Sequence, residues 1–238
     1  NRGLEEVAVY ENMAVEEKNI VVPGDLLSDD SKQSGEGTYV EKGRVYSALY
    51  GIVDTRDKIR VIPLAGKYIP GRGDVVIGKI VDITFSNWIV DINSPYEALL
   101  HISEFTEKVE QGNMDRYIKV GELVIAKVVD VDATMKIELS MRDDRSRVLK
   151  HGRIIDISHT KVPRVIGRNG SMISMLKKEL NCSIFIGQNG RIWIRGEDEK
   201  VDLATKAILK IEREAHTSGL TDRIKEYIQS LKEKGESK

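Results

Sequence analysis

Cysteine is almost absent: Cys182 stands alone in 238 residues. No internal disulfide can form, and no Cys/His group has zinc spacing, so the chain suits a reducing compartment, read here as the cytoplasm. Long apolar runs are missing too. None approaches the ~20 residues that cross a bilayer, and the first 18 residues are acidic and broken by glutamates, unlike a signal peptide. Neither membrane insertion nor secretion is expected. Aromatics make up only 5% of the chain, a low share. Catalytic signatures are also lacking. No Walker loop, nucleophile elbow or metal triad occurs, and His101, His151, His159 and His216 are scattered. The neighbouring acids Asp29-Asp30 and Asp143-Asp144 point opposite ways on a strand and about 100° apart on a helix, so neither is a ready acid/base couple. The residues therefore name no catalytic group, metal ligand or cofactor.

What is present suits a soluble multidomain protein. The length allows one to three domains with cores of their own, and the 40% hydrophobic and 32% charged content argues against overall disorder. The net charge of -1 hides a gradient. Residues 1–41 carry 10 acidic and 3 basic side chains, whereas residues 150–196 carry 9 basic and 2 acidic ones. The basic stretch would attract phosphate, and the acidic head suits a basic protein partner. On charge alone a solvated surface is the favoured reading.

The text up to Tyr68 reads as short strands with a polar loop at 28–37, giving a small β-rich unit over 1–70. Pro70 and the glycines after it mark a boundary. Five strand-like runs follow over 71–148: 75–83, 88–92, 98–102, 123–131 and 137–140. Five short strands suit a small barrel. Gly24-Asp25, Gly73-Asp74 and Gly121-Glu122 recur at spacings of 49 and 48 and are read as a shared way to start a strand. After Gly152 the period changes. The text predicts a strand at 153–157, helices at 162–166 and 171–180, and a hairpin pairing Ile184 and Ile186 with Ile194 and Ile192. Gln188-Asn189-Gly190 would form its turn, with Gly190 left-handed. A helix from Asp198 with Val201, Ala204, Ile208, Ile211 and Ala215 on one stripe completes a β-α-α-β-β-α unit over 149–216. Residues 217–238 read as a polar helix or frayed tail.

The sharpest motif is Val165-Ile166-Gly167-Arg168-Asn169-Gly170-Ser171-Met172-Ile173. Glycines at both ends let the loop turn tightly and let a sugar-phosphate backbone approach main-chain N–H groups at a helix start, with Arg168 adding charge. In its β-α-α-β-β-α setting this loop resembles that of a type I KH domain, whose GxxG segment grips single-stranded RNA. The resemblance implies RNA contacts at Gly167, Arg168, Asn169 and Gly170, with Lys161 and Arg164 beside them. A rigid turn packed on a neighbour, with Asn169 tolerating φ > 0, is the competing reading.

Residues 73–142 resemble the S1 RNA-binding domain, an OB-type five-stranded barrel. The marks are the segment Asp82 to Val90, Leu99-Leu100-His101-Ile102-Ser103, and Val131-Asp132 through Ser140. By position the resemblance implies stacking by Phe85, Trp88 and His101, and phosphate binding by Lys136 with Arg142 nearby. Ser86 and Met135 stand where that family usually has glycine. Strand parity points elsewhere, since Val81 and Ile83 share parity with Phe85. That puts Phe85 in the core and Trp88 on the surface, and His101 could be a satisfied barrel histidine.

Together the chain is read as an α+β multidomain protein resembling the RNA-binding S1/KH cap subunit of the archaeal exosome. The resemblance implies a non-catalytic protein on a ring of RNase PH-like subunits, beside other cap subunits. It would capture single-stranded RNA, favouring A-rich sequence, and direct the 3′ end inward. A structural adaptor without RNA contact and an S1/KH transcription factor are the alternatives.

Overall fold

Strand formation in the first part of the chain follows its short β-branched and aromatic runs. The computed structural model describes residues 20–55, 58–217 and 219–236. Of the acidic head read over residues 1–41, residues 1–19 lie outside them. The chain divides into two units, Asn1–Gly66 and Lys67–Lys238. In the first, β1 (Ile20–Val21), β2 (Leu26–Ser28), β3 (Thr38–Glu41), β4 (Arg44–Ser47), β5 (Gly51–Asp54) and β6 (Arg60–Pro63) form two antiparallel sheets, ordered β1-β5-β6 and β2-β4-β3. Val45 and Val61 are buried. Cross-strand registers line up Ile20, Ile52 and Ile62 in one sheet and Leu26, Tyr46 and Tyr39 in the other. Ile20 and Ile62 are 58% and 45% exposed, so this unit presents apolar ladders outward.

In the second unit β7 (Val75–Ile83), β8 (Asn87–Asp91), β9 (Ala98–His101), β10 (Leu123–Val131) and β11 (Ile137–Ser140) run in the order β11-β9-β8-β7-β10. The β10–β11 pairing closes the ring into the five-stranded barrel expected from the text. A sixth strand, β12 (Arg147–Leu149), pairs with Leu123–Ile125 of β10. Trp88, Val90, Leu100, Val128, Ile137 and Leu139 fill the barrel.

The remainder is β13 (Arg153–Asp156), α1 (Val162–Ile166), α2 (Ser171–Leu180), β14 (Ser183–Ile186), β15 (Arg191–Arg195) and α3 (Asp198–Arg213), with sheet order β13-β15-β14. The hairpin register pairs Ile184 with Ile194, Phe185 with Trp193 and Ile186 with Ile192, and Gly190 sits at φ +85. Each face of this sheet has its own partner. Ile184, Ile192 and Ile194 meet the helices, while Ile154, Phe185 and Trp193 join Val75, Ile77, Ile125 and Leu149 of the barrel. Past Thr217 the described residues include α4 (Leu220–Glu236), a helix and no frayed tail. Its Leu220, Ile224 and Ile228 are buried in the same cluster as α2 and α3. Lys232 pairs with Glu179 at 3.2 Å, and the Lys210 ammonium lies 4.9 Å from the Tyr227 ring centroid.

Candidate nucleic-acid interface

Strand β7 carries a bulge between Ile80 and Asp82, after which Ile83 lies opposite Trp88. The bulge separates the faces of Val81 and Ile83, and β7 then ends. Thr84 N–H donates to the Asn87 carbonyl at 2.8 Å, and the Thr84 hydroxyl accepts from Asn87 N–H at 3.1 Å. Phe85 therefore stands at a hairpin tip and not in a strand, 71% exposed, while Trp88 is 0% exposed. Both burial expectations are reversed, because the bulge shifts the facing of β7 and the strand ends at Ile83, before Phe85. Trp88 donates its indole N–H to the Ile118 carbonyl at 3.1 Å and packs 5.5 Å from the Phe105 ring. Held in this way, it offers no face to a base.

Beside the tip, Ile102 N–H donates to the Ser86 carbonyl at 3.0 Å, and Asn87 lies opposite His101. His101 is exposed. Its Nδ1 accepts from Ser103 N–H at 3.1 Å and lies 2.7 Å from the Ser103 hydroxyl. A nitrogen that accepts from a backbone N–H carries no proton, so the neutral ring holds its hydrogen on Nε2, which can donate. Two hollows meet at His101 and Ser103. One, of about 630 Å³, includes Asn87, Glu104, Lys136 and Glu138; the other, of about 650 Å³, includes Phe105, Lys108 and Arg142. Arg142 donates to the Ser103 carbonyl, which leaves part of its guanidinium free.

Lys136 is placed by an acid-centred loop. The Asp132 carboxylate accepts from Thr134 N–H at 2.8 Å, the Thr134 hydroxyl at 2.7 Å and Lys136 N–H at 2.9 Å. These donors hold its carboxyl below the usual range, led by the Thr134 hydroxyl. Met135 takes φ +62, the left-handed conformation that glycine would adopt freely. The loop thus keeps a glycine-like shape without the glycine. Lys136 Nζ lies 2.8 Å from a Glu138 oxygen, and that hydrogen bond raises its pKa and keeps the ammonium charged.

The second candidate locus lies between α1 and α2. Gly167 has φ 75 and ψ 170, and an added Cβ would meet the Met172 Cβ and N at 2.7 Å. Asn169 takes φ 51 and ψ 30, as its tolerance for φ > 0 predicts, and Gly170 takes φ 75. Arg164, Arg168 and Asn169 are exposed, and Lys161 is half-buried. Among the described residues neither Arg164 nor Arg168 makes an ion pair. The structure thus gathers His101, Lys136 and Arg142 along the joined hollows, with the Phe85 tip tied to Ile102 through Ser86. It gathers Lys161, Arg164 and 167–170 separately on the helical segment.

Comparison with known proteins fits this architecture piece by piece. Residues 18–65 match the family described as exosome RNA binding protein RRP4 N-terminal domain, residues 67–130 match the RRP4 S1 domain, and residues 152–200 match a KH domain. The exosome complex component Rrp4 of Methanosarcina mazei is 57% identical over 221 residues, covering 92% of this chain and 85% of the relative. The chain belongs to the Rrp4 family. The Rrp4 of Pyrococcus furiosus is 47% identical over 232 residues, with 93% and 88% covered. A crystal structure of a candidate exosome complex RNA-binding protein superposes with TM-score 0.66 at 40% identity, covering 71% of this chain and 98% of that one.

Sequence reasoning missed one part of this Rrp4 architecture. Gln188 and Asn189 serve as more than a local turn, because they bond to β7 of the barrel. The available signal was that Val75, Ile77 and Ile125 make the barrel strands apolar on both faces.

Proposed function

We propose that the chain is a non-catalytic RNA-binding subunit of an exosome, seated on a ring of RNase PH-like subunits in the cytoplasm. There it captures single-stranded RNA, with A-rich sequence favoured, and directs the 3′ end toward the degrading subunits. The observation that carries this reading is an exposed imidazole and two cations lining joined hollows on the barrel, with exposed Phe85 next to Ser86, whose carbonyl bonds Ile102 of one hollow. A ring stacks any base, a cation follows the phosphates, and together they hold a strand without cleaving it. Arg168 of the GRNG loop and Arg164 just before it, both exposed and neither in an ion pair among the described residues, suit a second phosphate contact. The N-terminal apolar ladders suit docking against a protein, because water-facing isoleucines in register favour burial.

Titration of a labelled A-rich single strand at two salt concentrations tests the RNA reading. Binding should weaken steeply with salt, and Phe85→Ala should cost about 1–3 kcal/mol of affinity if the ring stacks a base. No binding by the intact chain would favour a structural adaptor. The mass of the complex recovered from cells tests the docking reading, and isolation without RNase PH-like chains would overturn it.

A further inference from the structure

Strand β7 spans nine residues and β8 only five, and their pairing starts at Lys79 opposite Asp91. Residues two and four before Lys79 send their N–H and C=O groups to the same side, past the end of β8. These are Ile77 and Val75, and an open sheet edge of this kind normally demands a partner.

The β14–β15 turn supplies one. Gln188 N–H donates to the Val75 carbonyl at 2.9 Å, and its side-chain oxygen accepts from Val75 N–H at 2.6 Å. Asn189, 0% exposed, does the same with its amide. Its oxygen accepts from Ile77 N–H at 3.3 Å, and its nitrogen donates to the carbonyls of Ile77 and Ile92, each at 2.8 Å. The side chain behaves as the missing residue of a neighbouring strand. Arg191 grips the end of β8, donating to the Asp91 carbonyl and carboxylate, both at 2.6 Å. From Asp91, β8 runs back to Asn87, which lines a hollow and pairs with His101.

We propose that Asn189 and Arg191 are positioning residues of the barrel groove, fixing β8 from its far end without touching RNA. The inference rests on the RNA reading of that groove. Segments 112 and 100 residues apart in the chain are joined by these bonds, so the barrel and the helical segment act on RNA as one body.

The test uses the full chain and a short labelled A-rich strand titrated across salt. Arg191→Gln should lower affinity about fivefold or more with the slope of log K against log salt unchanged, since no phosphate contact is lost. A slope shallower by about 0.7 would mean direct phosphate contact, and unchanged affinity in a folded variant would mean mere fastening; either overturns the proposal. Asn189→Asp sets an anion against two carbonyls. Amide exchange at Val75 and Ile77 should then rise while Ile80 and Val90 stay protected, and unaltered exchange would overturn the proposal. If the unaltered chain binds no RNA, the functional reading falls, and the exchange result still decides whether the turn holds β7.

Discussion

At the residue scale, Phe85 and Trp88 show how three positions separate a binding side chain from a core one. Trp88 is enclosed, hydrogen-bonded and stacked near Phe105. Trp88→Ala should therefore cost about 3–5 kcal/mol of unfolding free energy in urea titration. Phe85→Ala, at a water-exposed tip, should stay within about 0.5 kcal/mol. Equal losses for the two would contradict the assignment. Met135 makes a related point. It stands where the S1 family usually has glycine and adopts the left-handed backbone itself. That conformation costs a non-glycine residue about 1–2 kcal/mol, offset here by three hydrogen bonds to Asp132.

At the scale of elements, local rules carried most of the reading. The recurring Gly-acid pairs are one turn used three times. Gly24, Gly73 and Gly121 lie at φ +94, +96 and +91. In each, the acid's own N–H closes the turn onto the carbonyl three residues back, at 3.1, 3.2 and 3.1 Å. Its carboxylate accepts the N–H of that same residue, at 2.8, 3.0 and 2.8 Å. This is type II geometry, with glycine required at the third position, and each copy launches a strand. The two glycines of the GRNG loop are unequal. A methyl at Gly167 collides with Met172, whereas at Gly170 its nearest neighbour is Ile173 at 3.8 Å. Gly167→Ala should cost about 2–3 kcal/mol and Gly170→Ala about 1–2, from left-handed strain alone. Thermal melts of the two variants check this, and the reverse order would show the loop shape to be wrong.

At the scale of the whole molecule, the strands of the barrel and the β-α-α-β-β-α order were legible because alternation and helical stripes are local signals. The union of the two was not. Gln188, Asn189 and Gly190 explain themselves as a turn, and nothing nearby reveals that their amides serve a distant strand. Helix α4 was legible as one of two readings, but its docking was not, since its polar face dominates its composition while Ile224 and Ile228 sit fully buried. Ile224→Ala should lower stability by about 2–5 kcal/mol, measured by denaturant unfolding, where a loose tail would show almost no change. The β7 overhang also bears on how the chain is made. Val75 emerges from the ribosome 113 residues before Gln188, its hydrogen-bond partner, an interval of roughly 6–20 s at ordinary elongation rates. Once Ser140 is out the barrel can close, yet its Val75–Ile77 margin stays unpaired until the hairpin arrives to seal it.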